Sequence, residues 1–115
     1  MSQSVFRRIA LSLPDAVEGS HQGHADFRAG KRIFATLGYP DDDWGMVKLT
    51  PEQQSILVEA EPEIFRPVPG GWGKGGSTNV LLAKADAVTL KSALTMAWQN
   101  IAPKPRAKPG QKTGR

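Results

Sequence analysis

The stretch WGMVKLTPEQQSILVEA, residues 44–60, changes its period halfway along. From 44 to 49, Trp44, Met46 and Lys48 alternate with Gly45, Val47 and Leu49. A period of two predicts a strand. At Thr50 the alternation stops. Thr50 suits a helix N-cap, Pro51 the first helical position, and Gln53 the third position of a capping box. Glu52 places negative charge beside the positive end of the helix dipole. Ile56, Leu57 and Ala60 then recur at helical spacing, predicting the apolar face of a helix that Pro62 ends. A strand that hands over directly to a helix sets an α+β reading for the whole chain.

The flanks extend this reading. Residues 3–13 place Phe6, Ile9, Ala10 and Leu13 at helical spacing beside Val5, predicting an amphipathic first helix that stops before Pro14. Residues 14–19 read as a loop. Residues 21–27 and 31–37 read as two strands, with Ile33, Phe34 and Leu37 expected in the core and a turn at Gly30. Residues 38–43, with Asp41, Asp42 and Asp43, read as a solvated loop. Beyond the second helix, Ile64 and Phe65 are expected to return to the core. Short strands are expected at 66–68 and 77–83, the latter carrying Val80, Leu81 and Leu82. Asp86 can cap a third helix with Leu90, Leu94, Ala97, Trp98 and Ile101 on one face, and Pro103 marks its end. The order is α-β-β-β-α-β-β-α. It predicts a two-layer α+β fold, an antiparallel sheet with helices on one face.

Composition and charge bound the function. The chain has 115 residues, 39% hydrophobic and 23% charged, which is one globular domain of ordinary make-up. It has no cysteine, so disulfides, a zinc ribbon and cysteine catalysis are excluded. The apolar run 9–13 stops after five positions, too short for a secretory segment, and no run nears the roughly 18 residues of a membrane span. A cytoplasmic monomer that does not engage membranes is expected. The formal charge is +4, from 15 Lys and Arg against 11 Asp and Glu. Five of those cations, Lys104, Arg106, Lys108, Lys112 and Arg115, lie in residues 103–115. Ten therefore remain against 11 acids, and residues 1–102 carry a net of −1. The segment 103–115 is rich in Pro, Gly and Lys and is read as a disordered tail on a single domain, 1–102. Such a tail either binds polyanions by neutralising phosphates, without sequence choice, or serves only as a solubilising terminus.

Candidate chemistry is sparse. In GGWGKGGST, residues 70–78, Lys74 is followed by two glycines and a strand, which is not a phosphate-binding loop. The stretch reads instead as a glycine-rich hairpin turn presenting Trp72 and Lys74. His21 and His24 are the only histidines, and on one strand they would point to opposite faces, so no metal site is read. Ser20 and His21 lack a nucleophile elbow, and no acid/base pair of carboxylates stands out. The chain is expected to be no enzyme and to need no cofactor. Basic residues with aromatics remain: Arg28, Lys31 and Arg32 at the first hairpin turn, Lys48 on the third strand, and Trp72 with Lys74 at the second. Such sets supply phosphate contacts and base stacking, or form an ordinary mixed-charge surface, which is the reading that the net of −1 over residues 1–102 favours.

Four patterns in order complete the reading: Gly23-His-Ala-Asp-Phe-Arg28 with Gly30-Lys-Arg-Ile-Phe34; Val47-Lys-Leu-Thr-Pro-Glu-Gln53; Phe65-Arg-Pro67 leading to Gly71-Trp-Gly73; and Ala97-Trp98 with Ala102-Pro-Lys104. Together, over residues 5–104, they resemble the MmcQ/YjbR family of small bacterial proteins. The resemblance implies the α+β fold already reached from the residues. It also implies DNA binding through two β-hairpin wings, with no catalytic residues. On this sequence the first wing would hold Arg28, Lys31 and Arg32, and the second Trp72 and Lys74, with Lys104, Arg106 and Lys108 adding affinity from the tail. The alternatives are a module that holds a protein partner, as in secretion-chaperone-like folds, and a small-ligand pocket.

Overall fold

The computed structural model describes residues 3–21 and 23–101. The basic segment 103–115, with Lys104, Arg106 and Lys108, lies outside them. The elements run α1 (Gln3–Leu11), β1 (Val17–His21), β2 (His24–Ala29), β3 (Arg32–Leu37), β4 (Trp44–Lys48), α2 (Pro51–Ala60), β5 (Phe65–Pro67), α3 (Gly71–Lys74), β6 (Ser77–Leu81) and α4 (Ala87–Ile101). Six strands form one antiparallel sheet in the order β1-β2-β3-β4-β6-β5. The expected α+β architecture is present. No helix among the described residues is long and apolar enough to cross a membrane.

Strand register sorts the side chains onto two faces. Residues paired across an antiparallel sheet share a face. One row runs Phe27, Ala35, Val47, Thr78, and all four are fully buried. Phe6 and Ala10 of α1 cover that face together with Leu90, Ala93, Leu94, Ala97 and Ile101 of α4. The rings of Phe6 and Phe27 lie 5.9 Å apart at a tilt of 53°. Gly45 makes room for Phe6, because a Cβ there would stand 2.6 Å from the ring. The neighbouring row runs Asp26, Thr36, Met46, Asn79 and Arg66 on the face that carries neither α1 nor α4.

Local chemistry explains the joints. The β2–β3 turn has Gly30 at φ 61° and Lys31 at φ 73°, the left-handed pair that a two-residue hairpin of this twist requires. Thr50 and Gln53 form the full reciprocal capping box, with Gln53 N–H donating to Thr50 Oγ1 at 3.1 Å and Thr50 N–H to Gln53 Oε1 at 2.9 Å. Asp86 accepts from the Thr89 N–H at 2.7 Å and starts α4. The first-turn N–H groups lower the Asp86 pKa from its ordinary value, chiefly through Thr89.

Five local expectations change. Residues 17–21 form a strand, although 14–19 were expected as a loop and the first strand only from 21, because VEGSH carries no clear alternation and pairs through the backbone. His21 and His24 consequently sit opposite each other across a hairpin, on two strands. Ile33 leaves the core: a bulge between Phe27 and Arg28 makes Phe34 an extra, buried residue and turns Ile33 to the open face. The apolar stripe of α2 is not deeply buried, with Ile56 exposed and Leu57 and Val58 packed only at the margin of the core. Residues 71–74 are a single helical turn rather than an extended hairpin tip. Its Gly73 backs so closely onto the Val68 carbonyl that a Cβ would collide.

Candidate functional site

The open face is concave. Its floor is the row Asp26, Thr36, Met46 and Asn79, and α3 and the 38–43 loop rise along its sides. The result is a mainly apolar cavity of about 350 Å³. Trp72 from α3 and Tyr39 from the loop stand at its mouth, 71% and 59% exposed. Large aromatic surface is thus left in water beside the cavity.

Each wall has a structural cause. Gln54 of α2 reaches with Nε2 to the carbonyls of Gly73 and Ser77, both at 3.0 Å, and to Thr78 Oγ1 at 3.2 Å. That side chain ties α3 to the start of β6. Gly76, at φ 112°, lies against the Leu49 carbonyl where no Cβ fits. On the other side the ring of His24 meets Tyr39 edge-on at 5.7 Å. The Lys48 ammonium lies 6.0 Å from the centre of the Trp72 ring, and the Arg66 guanidinium 5.1 Å from that of Trp44.

Two polar groups on the floor differ in how they are satisfied. Asp26 is fully buried, and Arg28 grips it with Nε–Oδ1 at 2.8 Å and Nη2–Oδ2 at 3.1 Å. Gly19 leaves room for this pair: a Cβ there would come within 2.9 Å of Asp26 Oδ1. Hydrogen bonding to Asp26 raises the Arg28 pKa further above its already high ordinary value. Asn79, 8% exposed, has no such partner for its side-chain Oδ1 among the described residues.

The basic residues expected to bind phosphate divide into groups. Lys48 and Trp72 come together at the cavity. Arg28 is on the same face but is occupied by Asp26. Lys31 and Arg32 are exposed at the β2–β3 turn, beyond the Arg28–Ile33 pair. Lys74 is exposed at the end of α3. Sequence reasoning missed Asp26, Tyr39, Arg66 and Asn79. A signal was available for Asp26, an acid directly before the core Phe27 and two residues from an arginine, the spacing at which strand neighbours share a face.

Charge on this face differs from that of the domain. Among the described strand residues of the open face, Arg28, Lys48 and Arg66 stand against one acid, Asp26. Residues 1–102 as a whole carry a net of −1. Asp41, Asp42 and Asp43 stand on the 38–43 loop at the side of the cavity, and the remaining acids lie on other loops, on α2 and on the helix-covered side.

A family model described as YjbR matches residues 11–100 of this chain. The fold is similar to the crystal structure of Deinococcus radiodurans protein DR2400, which carries the domain DUF419. The TM-score is 0.72 at 19% identity, over 96% of this chain and 83% of that one. No curated protein sequence matches this chain.

Proposed function

This chain belongs to the YjbR family, and we propose that it is a non-enzymatic DNA-binding module whose folded part meets phosphates on the open face of the sheet. One observation carries the reading: in a domain of net −1, the described strand residues of the sheet face that α1 and α4 leave uncovered hold three cations against one acid, beside an exposed Trp72. Phosphate contacts supply most of the affinity of such modules, and exposed aromatics add stacking. Lys31, Arg32 and Lys74 on the turns, and Lys104, Arg106 and Lys108 in the tail, extend the contact along the strand. Edge strand β5 has three residues and ends in Pro67, which disfavours edge-to-edge pairing at that edge.

The test is anisotropy of a labelled DNA duplex against the full chain over a salt series. The logarithm of affinity is expected to fall linearly with the logarithm of salt. The double variant Lys48→Gln, Arg66→Gln is expected to flatten that slope by about 0.9 per lost contact while stability changes by about 0.5 kcal/mol or less. A parallel variant with Lys104, Arg106 and Lys108 changed to Gln measures the tail. Affinity lost wholly with the tail variant and untouched by the face variant would remove the folded domain from the interaction.

A further inference from the structure

We propose, resting on the DNA-binding reading, that the cavity on the open face receives one unpaired nucleobase, making the module a single-strand binder. Four features of the cavity together select this occupant. Its volume of about 350 Å³ falls at the low end of small-ligand pockets, roughly 300–1,000 Å³, and suits a base with part of its sugar. Its mouth is flanked by two exposed aromatic rings, Trp72 and Tyr39, which offer π-faces to a flat heterocycle. Its floor holds Met46 and Ile33, apolar surface for the buried part of the ring.

The fourth feature is Asn79. Its side chain is more than nine-tenths buried, lines the cavity, and leaves Oδ1 without a hydrogen-bond partner among the described residues. A carboxamide has a donor and an acceptor side by side, and the two ends can exchange by rotation. A base edge presents the same pair in reverse. A purely apolar ligand would leave the amide unanswered. A small free anion would leave the aromatic mouth unused.

The surrounding charge fits a base that carries its backbone. Arg28 neutralises Asp26 inside, so the floor does not repel a polyanion. Lys48 lines the cavity and Arg66 projects from the same sheet face, both available to the phosphates beside the inserted base. Bases within a duplex are stacked and paired and cannot enter without being extruded. The cavity therefore discriminates for unpaired DNA.

The experiment compares a mixed-sequence single strand of roughly ten nucleotides with the duplex of the same sequence, both labelled, against the full chain. The single strand is expected to bind about tenfold tighter than the duplex. Asn79→Leu is expected to weaken single-strand binding about tenfold with duplex binding unchanged, and Trp72→Ala to weaken single-strand binding about tenfold and duplex binding less, with the salt slope unchanged in both. Trp72 is exposed, so its variant keeps the question open to measurement if Asn79→Leu fails to fold. Equal affinity for both forms, with neither variant altering it, overturns the base pocket and leaves phosphate binding standing. Absence of binding to either form at low salt overturns both readings.

Discussion

Thr78 and Asn79 are adjacent on β6, yet they belong to opposite faces of the sheet and are treated oppositely. Thr78 faces the packed side. Its hydroxyl donates to the Gly76 carbonyl at 2.8 Å and accepts from Gln54 Nε2 at 3.2 Å. Asn79 faces the open side, and its Oδ1 has no partner among the described residues. The same contrast runs along the rows. Phe27, Ala35 and Val47 meet helix side chains, whereas Asp26, Thr36 and Met46 border a cavity. A buried polar group costs free energy unless it is hydrogen-bonded, so the packed face satisfies every such group it carries or excludes it. On the open face Arg28 satisfies Asp26, whereas Asn79 Oδ1 has no partner among the described residues. Uncovered sheet in a small domain is where a ligand can act with least cost to folding.

The largest test of this division is a pair of truncations. Phe6→Ala on the packed side is expected to lose about 3–5 kcal/mol, and Met46→Ala on the open side about 1 kcal/mol, by urea unfolding. Equal losses would erase the distinction between the faces.

An intermediate effect is expected at the joint that holds α3 over the open face. Gly76→Ala places a Cβ against the Leu49 carbonyl at a φ that side chains rarely adopt. The expected cost is about 1–3 kcal/mol, together with amide NMR shifts concentrated in residues 70–78. Shifts confined instead to α1 and α4 would mean that α3 is not anchored through this residue.

The smallest effect sharpens the packed side alone. The folded-state pKa of Asp86 is held below the ordinary carboxylate value of 3.8 by the N–H groups of the α4 first turn, Thr89 first. A lowered folded-state value means the contribution is fully present above the unfolded-state pKa. It is lost as pH falls through the ordinary value and then the folded-state one. Asp86→Asn still caps but does not titrate there, so its stability should fall less than that of the parent between about pH 6 and about pH 3. Because Asp86 is exposed, the difference is small. Identical pH profiles would show that the cap carries no charge component.

How much was legible follows from where each signal lives. The capping box at Thr50, the Asp86 cap, the turn at Gly30 and the apolar face of α4 are local patterns, and the structure holds each as read. Strand β1 was not legible because Val17 is its only large apolar residue. The second turn was half legible: glycines announced a loop, but its helical turn depends on Gly73 and Gly76 approaching distant carbonyls. Lys48 and Trp72 were identified separately as candidates. Nothing in the sequence said that they meet, or that Arg28 is committed to Asp26.

Taken by itself, the sequence determined the α+β class, the basic composition of segment 103–115, the net of −1 before it, and membership of a family, because composition, periodicity and motif order are properties of the chain. The tertiary structure decided which face is open, that Arg28, Lys48 and Arg66 share it, and that Asn79 lies buried with its Oδ1 unpartnered among the described residues. Those are properties of register. A single bulge at Phe27 and Arg28, or one slipped residue, would reassign side chains between the two faces without changing a letter of the sequence.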